Sequence, residues 1–455
     1  MIVLEGIFIA SLFLVVSLCM TTWSFVGALL LSVSTQVLDG REVGAVPRAV
    51  MSYANRPVFA ADVTQANPVA KQAIEAMLAD LQKAGLTNPN QGVWIQSNDG
   101  TIAAGRLSDR ALPSASLTKN ATTLASLQTW GSNHRFITKI RTTGKLTGDT
   151  LAGDLIIEGG GDPLFVWEEA IALGNKLNQL GIKRVSGNLI VTGNFAMNFE
   201  TDLQKSADLL RVALDSSQWE GEVSQQYAAM PIGTPKPQVM ISGDTRIVRN
   251  LAIANDSTSK LVIQHSSLPL WQLLKRMNTF SNNAMSEMLA AQLGGGRQVA
   301  QIAASATGMP ISEIQLINGS GLGQANQISP RASVAILMEI HNRAQLEGLT
   351  LADLYPLGNC DCGTIEGRKI TKGAIVKTGT LSDVSALSGI VQTQEHGAIW
   401  FAIVNRGEGD IDAFHRSQER VLQVLVNKWG LPKSFNPLFA ETPWQDRDRN
   451  EVVVN

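Results

Sequence analysis

Ser116 and Lys119 are the first residues along the chain whose types and spacing could carry chemistry. They lie three positions apart, so a helix places both side chains on one face. A serine hydroxyl is an effective nucleophile only when a neighbouring group takes its proton. A buried lysine can do this when its pKa falls toward neutrality. Because Ser-x-x-Lys often arises by chance, this pair alone is a weak signal.

Ser281 and Asn283 form a second candidate pair. They stand between two helical patterns, at residues 268–278 and 284–293, and the first pattern has a proline in its first turn. A Ser-x-Asn at such a junction offers a hydroxyl and a carboxamide at one fixed point. Serine and asparagine also cap helices, and for this stretch alone capping is the simpler interpretation.

The third candidate is the run Lys377, Thr378, Gly379 and Thr380, which ends a strand predicted over residues 374–380. Its lysine supplies positive charge, its threonines supply hydroxyls, and its glycine leaves room for a second backbone. Ser-x-x-Lys, Ser-x-Asn and Lys-Thr-Gly therefore follow one another along the chain, each on an element that suits its chemistry. Their joint occurrence supports a catalytic interpretation much more strongly than any one of them.

The elements that must hold these residues are also visible in the sequence. Apolar positions recur at helical spacing over residues 68–85, and two strand patterns flank the turn Asn98-Asp99-Gly100, which predicts a β-hairpin. The strands at 374–380, 384–391 and 398–404 suggest an antiparallel meander, followed by a final helix that ends at Gly430.

Between residues 135 and 255 the pattern changes. Short strand-like runs alternate with turns rich in glycine and aspartate, which predicts an inserted, mainly β segment. The turn containing Gly159, Gly160 and Gly161 has no Gly-Lys-Ser/Thr after it and no dinucleotide-binding pattern, so it is interpreted as a structural turn and not as a phosphate cradle.

The N-terminal region predicts export. No charged residue occurs from Gly6 to Leu31, which is long enough for a membrane anchor or a cleaved signal. No basic residue precedes this segment, and three follow it: Arg41, Arg48 and Arg56. By the positive-inside rule this distribution would leave the C-terminal side of the segment in the cytoplasm, which argues against export. Both the anchor and the signal therefore stay open, with a linker over residues 32–61.

Composition excludes several classes of function. The net charge of −2 gives no sign of a nucleic-acid surface, and the five histidines are scattered without a metal-binding pattern. We therefore expect no metal, no other cofactor and no nucleic-acid partner. Cys360 and Cys362 predict a structural pair, for which a local disulfide in an oxidising compartment is one form and a redox role the alternative.

The three motifs occur together in β-lactamases and penicillin-binding proteins, and the chain resembles one family among them more widely. It is similar to the D-alanyl-D-alanine carboxypeptidase/endopeptidase family, the low-molecular-mass class C penicillin-binding proteins. Beyond the motifs, the resemblance is carried by residues 113–119, 153–164, 265–289, 319–330 and 363–368. Asn318 departs from the aspartate that many members have there, and the cysteine pair is not part of the pattern.

This resemblance implies an α/β (α+β) fold with a β-lactamase/transpeptidase-like domain, whose antiparallel sheet is flanked by helices and interrupted by a mainly β insert. The domain boundaries that we predict are 1–61 for a signal or membrane anchor plus linker, 62–134 and 256–432 for the catalytic domain, 135–255 for the insert, and 433–455 for a C-terminal tail expected to be irregular.

The resemblance also implies a role for each motif residue. Ser116 attacks the carbonyl between two terminal D-alanines while Lys119 takes its proton, and Ser281, kept poised by the positive charge of Lys377, protonates the leaving amine. Asn283 bonds the substrate amide.

The strand residues would bind the rest of the substrate. Thr378 and Thr380 hold the terminal carboxylate, Gly379 leaves room for the substrate backbone, and the N–H groups of Ser116 and Thr380 form the oxyanion hole.

The implied partners are peptidoglycan peptides, β-lactam antibiotics as covalent inhibitors, and a membrane through the N-terminal segment. The implied location is the periplasm or the outer face of the cytoplasmic membrane. Two rivals remain. A β-lactamase would need a deacylating glutamate, for which Glu287 and Glu313 are the nearest candidates, without the expected context. A catalytically weak peptidoglycan-binding scaffold would be expected to lack a motif residue, and none is missing.

Overall fold

The computed structural model describes residues 66–249, 259–358, 360, 362–436 and 449–453. The predicted signal or anchor and its linker, residues 1–61, lie outside the described residues. Within these ranges no helix combines the length and the apolar character that crossing a membrane requires.

Ten α-helices occur in the described ranges: α1 Pro68–Lys83, α2 Thr118–Trp130, α3 Trp167–Gln179, α4 Leu203–Leu214, α5 Gly221–Ala229, α6 Leu270–Thr279, α7 Asn283–Gln292, α8 Gly296–Thr307, α9 Pro330–Leu346 and α10 Ile411–Trp429. The described strands are β1 Gly92–Ser97, β2 Ala103–Arg106, β3 Leu112–Pro113, β4 Ile137–Thr142, β5 Lys145–Thr147, β6 Thr150–Ala152, β7 Leu155–Gly160, β8 Arg184–Val185, β9 Leu189–Asn194, β10 Met240–Ile241, β11 Thr245–Ile247, β12 Lys260–Ser266, β13 Ile314–Gln315, β14 Gln327–Ile328, β15 Ile375–Leu381, β16 Val384–Thr393, β17 Gly397–Arg406 and β18 Asn450–Val452.

A five-stranded antiparallel sheet forms the centre of the fold, in the order β15-β16-β17-β1-β2. The predicted hairpin supplies β1 and β2, and the predicted meander supplies β15, β16 and β17. Strand β1 pairs with β17 along its whole length, from Gly92 opposite Val404 to Ser97 opposite Ile399. Strand β15 lies at one edge of this sheet, with the Lys-Thr-Gly-Thr run on it.

Successive side chains of each strand point to opposite faces of the sheet. In the central sheet both faces are apolar, and helices cover both. On β17, Phe401 and Ile403 pack with the apolar faces of α1 and α10. Trp400 and Ala402 face the other way, into a core built with α2 and α6 to α9. The predicted antiparallel sheet flanked by helices is confirmed.

The segment between the first and second motifs builds two further sheets. One has the order β11-β9-β7-β4-β12-β18, and the other the order β10-β8-β6-β5. Its own apolar core contains residues such as Ile140, Ile157 and Leu173. The segment leaves and returns through β4 and β12, which pair antiparallel, with Ile137 opposite Ser266.

This segment contains more helix than a mainly β insert, because α3, α4 and α5 all belong to it. The physical reason is the direction of its strands: β7, β9 and β11 run parallel to one another. Parallel neighbours cannot be joined by a tight turn and need a crossover, usually a helix. Helix α3 connects β7 to the β8–β9 region, and α4 and α5 precede β11.

The C-terminal tail is not wholly irregular, contrary to expectation. Asn450–Val452 forms β18, which pairs antiparallel with β12 at the edge of the larger inserted sheet. His265 of β12 is buried there, and its Nδ1 lies 2.9 Å from Asn450 Oδ1. Two polar residues and one valine do not predict a strand, because an edge strand is specified by the sheet that it joins. The domain boundaries themselves stay a prediction.

Candidate active site

Ser116 lies in a tight turn between β3 and α2, within the short 3₁₀ helix Ala115–Leu117. Ala115 has a positive φ of 46°, a conformation unfavourable for residues other than glycine. The turn is held in place by packing, since Ala115 and Leu117 are buried against Val384 and Ala386 of β16. Ser116 itself is only partly buried, so its hydroxyl stays accessible.

Lys119 is completely buried in the first turn of α2, beside Ser116. Its Nζ lies 2.8 Å from Ser116 Oγ and donates to Asn283 Oδ1 at 2.7 Å and to the Ser320 carbonyl at 2.9 Å. Burial lowers the pKa of Lys119 to about 7, an effect opposed by the charge of Glu287. A neutral amine with two fixed acceptors has its lone pair left for the serine hydroxyl.

Ser281 and Asn283 lie on either side of Asn282, the N-cap of α7. Asn282 caps this helix, and its side chain accepts from Met285 N at 2.9 Å. Ser281 has a positive φ of 53°, and Asn283 is exposed. The capping interpretation therefore applies to Asn282, while Ser281 accepts from Lys377 and Asn283 accepts from Lys119.

Lys377 is also completely buried, on the edge strand β15. Its Nζ donates to Ser281 Oγ at 2.9 Å and to the Thr378 carbonyl at 2.8 Å. Burial, and secondarily the positive charge of Lys119, lower the pKa of Lys377 well below its ordinary value. The role that fits this site is a hydrogen-bond donor to Ser281 more than a permanent charge.

Gly379 lets β15 lie close to the turn that carries Ser116. A Cβ added there would lie 2.9 Å from the Ser114 carbonyl oxygen and 3.0 Å from Ser116 N, closer than ordinary contacts allow. Only glycine permits this approach. Thr378 is buried and donates to Thr364 Oγ1 at 2.6 Å, whereas Thr380 is exposed.

The motif residues therefore form two hydrogen-bonded clusters. One joins Ser116, Lys119 and Asn283, and the other joins Ser281 and Lys377. Among the described residues, Lys119 and Ser281 share no direct hydrogen bond.

Three residues near these clusters were not assigned a role from the sequence. Ser320 acts through its carbonyl oxygen, and Thr364 through the bond with Thr378. Glu287, considered above only as a deacylating group, instead accepts from the N–H groups of Gly319 and Ser320, at 3.1 and 2.9 Å. Backbone contacts leave no residue-type signal. The four-residue spacing of Asn283 and Glu287 on one helix face could have placed Glu287 near the site, but not its contact with the loop.

Cys360 and Cys362 form a disulfide bond. The short 3₁₀ helix Gly363–Ile365 follows it directly and carries Thr364. The local disulfide named in the sequence analysis is therefore present, and it lies next to the Thr364–Thr378 contact.

Comparison with known proteins agrees with this geometry. The model of the D-Ala-D-Ala carboxypeptidase 3 (S13) family matches residues 70–206 and 240–427. The D-alanyl-D-alanine carboxypeptidase DacB of Haemophilus influenzae is 22% identical over 411 residues, covering 70% of this chain and 85% of that protein. The D-alanyl-D-alanine carboxypeptidase of Actinomadura sp. (strain R39) is 31% identical over 166 residues, 33% of this chain and only 30% of that protein.

Solved structures share the fold. Bd3459, a predatory peptidoglycan endopeptidase from Bdellovibrio bacteriovorus, has a TM-score of 0.67 and 22% sequence identity, covering 80% of this chain and 98% of that chain. The same protein acylated by penicillin G, in complex with the immunity protein Bd3460, has a TM-score of 0.66 at 22% identity, covering 80% of this chain and 99% of the other.

Proposed function

The chain belongs to the D-Ala-D-Ala carboxypeptidase 3 (S13) family, and on that basis we propose that it is a serine peptidase that cleaves D-Ala-D-Ala bonds of peptidoglycan stem peptides through an acyl-enzyme on Ser116. One observation carries the proposal: the buried Lys119 Nζ lies 2.8 Å from the accessible Ser116 Oγ.

Acylation begins with proton transfer. With a pKa of about 7, Lys119 is substantially neutral at physiological pH and takes the Ser116 proton as the hydroxyl oxygen attacks the carbonyl. The N–H groups of Ser116 and Thr380 would stabilise the oxyanion, and the close approach that Gly379 permits supports this assignment.

Loss of D-alanine needs a proton on its amine. Ser281 is positioned to supply it, because its Oγ accepts from Lys377 and its hydroxyl proton is then free to point into the site. The proton that Lys119 gained must reach Ser281 by movement of the lysine or through a water molecule, since no direct bond links the two among the described residues. Water then hydrolyses the ester on Ser116.

The edge of β15 is the binding surface that we assign to the peptide. In the described sheet this strand has β16 on one side only, apart from a bridge between Ile375 and Leu357. An extended peptide can add to such an edge. Thr380 would then hold the terminal carboxylate directly, and Thr378 would act on it through Thr364, to which its hydroxyl donates. Asn283, whose Oδ1 accepts from Lys119, would offer its N–H groups to the substrate amide.

The β-lactamase alternative is weakened by the state of its nearest glutamate. Both oxygens of Glu287 accept backbone N–H groups, so this carboxylate is not free to activate a deacylating water. Glu313 is likewise engaged, with Ser329 and Arg331.

We also propose that the protein works outside the cytoplasm. The uncharged segment Gly6 to Leu31 and the Cys360–Cys362 disulfide support this, since disulfides persist in oxidising compartments. Protease added to spheroplasts should digest the full chain. If the chain is protected from the protease until the membrane is lysed, this location is wrong.

The decisive test of the reaction is the intact mass of the full chain after brief exposure to benzylpenicillin, with Ser116→Ala in parallel. We expect one drug mass on the wild type, lost slowly, and none on the variant. Release of D-alanine from a synthetic D-Ala-D-Ala peptide should disappear in the same variant. Loss of the adduct within seconds, with drug turnover, would indicate a β-lactamase. A folded wild type with neither adduct nor D-alanine release would indicate the scaffold.

A further inference from the structure

Glu287 connects α7 to the loop that supplies one of the two fixed acceptors of Lys119. Its Oε2 accepts from Gly319 N at 3.1 Å, and its Oε1 accepts from Ser320 N at 2.9 Å. The carbonyl of the same Ser320 accepts from Lys119 Nζ at 2.9 Å. The backbone of Ser320 therefore links the two groups: its N–H donates to the Glu287 carboxylate, and its carbonyl accepts from the Lys119 amine.

Neutral groups hold the rest of the same loop. Asn318 Oδ1 accepts from Gly321 N at 2.9 Å, which fixes the far side of the peptide unit containing the Ser320 carbonyl. Thr122 and Ser286 both donate to the Gly319 carbonyl, at 2.8 and 2.6 Å. Glu287 is the one ionised member of this set, and bonds between carboxylates and backbone N–H groups are stronger than neutral ones.

Helix α7 also gives Glu287 a second connection to the lysine. Asn283, one turn before Glu287 on the same helix face, provides the other fixed acceptor through its Oδ1. Both acceptors that direct the Lys119 lone pair toward Ser116 therefore depend on α7, one directly and the other through Glu287.

We propose that Glu287 is a positioning residue that holds the Ser320 carbonyl against Lys119. This inference rests on the proposed function, in which Lys119 is the base of acylation. The charged group that acts on Lys119 is Glu287, from α7, which raises the pKa of the amine against the effect of burial. Lys377, from β15, is the other titratable group at this site, and burial together with the charge of Lys119 lowers its own pKa.

The two effects of Glu287 have different experimental signatures. Loss of the charge removes an attraction for the protonated amine, so Lys119 becomes neutral at lower pH. The acid limb of the pH profile of the acylation rate then shifts to lower pH. Loss of the second oxygen acceptor leaves the Ser320 carbonyl less well held, so the plateau rate at high pH falls. A residue that only supported the fold would lower the plateau and leave the limb in place.

The test measures the rate of acylation of the full chain by a fluorescent penicillin between pH 5 and 9, for the wild type, Glu287→Gln and Glu287→Asp. For Glu287→Gln we expect the acid limb to move down by about one pH unit and the plateau to fall about tenfold. Glu287→Asp keeps the charge on a shorter side chain, so its limb should stay near the wild-type position while its plateau falls.

A matched control is Glu347→Gln. Glu347 Oε2 also accepts a backbone N–H, from Ser132 at 2.6 Å, but beyond the far end of α2, about 17 Å along the helix from Lys119. In this variant, both the position of the acid limb and the plateau rate of acylation should equal those of the wild type.

An unshifted limb in Glu287→Gln, with wild-type acylation normal, overturns the inference and leaves the proposed function intact. A wild type that penicillin does not acylate overturns the proposed function itself. If Glu287→Gln does not fold, Glu287→Ala takes its place, because it also removes the charge, and an unshifted limb in that variant overturns the inference. A limb that shifts in Glu287→Asp, where the charge is kept, contradicts the role assigned to the charge.

Discussion

Thr378 Oγ1 donates a 2.6 Å hydrogen bond to Thr364 Oγ1, joining the edge strand to the turn that follows the disulfide. Thr378 is buried and Thr364 is exposed, so the pair forms a path of hydroxyls from the strand to the mouth of the site. Since Thr378 uses its proton on Thr364, the proton of Thr364 is left for another acceptor, and we assign the substrate carboxylate to that role.

Thr364→Val should therefore weaken substrate binding more than chemistry. Loss of one hydroxyl contact costs about 1 kcal/mol, so we expect KM for a D-Ala-D-Ala peptide to rise about fivefold with kcat almost unchanged. The measurement is steady-state release of D-alanine. Thr364→Ser retains the hydroxyl and serves as the matched control; equal KM values for Thr364→Val and the wild type would refute the role.

Gly379→Ala should separate β15 from the turn of the serine. The added Cβ meets the Ser114 carbonyl and Ser116 N, neither of which can move far because the turn is packed on β16. We expect penicillin acylation to slow at least tenfold, since one oxyanion donor would be displaced. Circular dichroism and thermal melting show whether the fold is retained; a folded variant with wild-type acylation contradicts the assignment.

Ser281 combines an unfavourable backbone with a required hydroxyl. Its positive φ of 53° costs a residue other than glycine about 1 kcal/mol. Ser281→Gly should therefore have a free energy of unfolding about 1 kcal/mol above that of Ser281→Ala. Both variants should lose D-alanine release by at least about a hundredfold, because neither can protonate the leaving amine. Urea unfolding and D-alanine assays check the two halves separately, and equal stability of the two variants would show that the backbone is unstrained.

Lys119→Met should show how much the buried, neutral lysine lowers the free energy of unfolding. The pKa of Lys119 is about 7 in the folded protein, below its unfolded value near 10.4. Between these values the unfolded chain binds the proton and the folded chain does not. Wild-type stability therefore declines as pH falls from about 10 to 7, and this contribution is constant below pH 7.

Relative to the wild type, Lys119→Met should gain stability as the pH is lowered through that window, with a ceiling on the order of 4 kcal/mol. Urea unfolding at pH 7, 8.5 and 10 measures the trend, and Lys145→Met, at an exposed strand position, provides the control. A stability difference that is independent of pH would mean that Lys119 is charged in the folded protein.

The sequence predicts some contacts of the site much better than others. The approach of Lys119 to Ser116 follows from helix geometry, and the cap at Asn282 follows from the residue type. The contact between Ser281 and Lys377 could come only from the family resemblance, because these residues lie on separate elements far apart in the chain. Ser320 could not be predicted at all, since its carbonyl carries no residue-type signal.

The fold shows the same division. Local patterns predicted the hairpin, the meander and the helices around the motifs. The inserted segment was predicted less well, because its short strands gave no sign that β7, β9 and β11 would run parallel and need helices between them. Strand β18 depends entirely on the sheet that it joins, so no pattern within its three residues could announce it.

The pairing of β1 with β17 also has a consequence for how the chain reaches this structure. Strand β1 can pair with its neighbour β2 at once, but its other partner, β17, is made near the end of synthesis, and such long-range closure is slow. The inserted segment has its own core and brings Ile137 beside Ser266, so its earlier folding shortens the loop that remains to be closed. We therefore expect pulse-labelled hydrogen exchange to find the amides of β4, β7 and β9 protected before those of β1. The insert would then act as an early folding unit that draws the two halves of the catalytic sheet together.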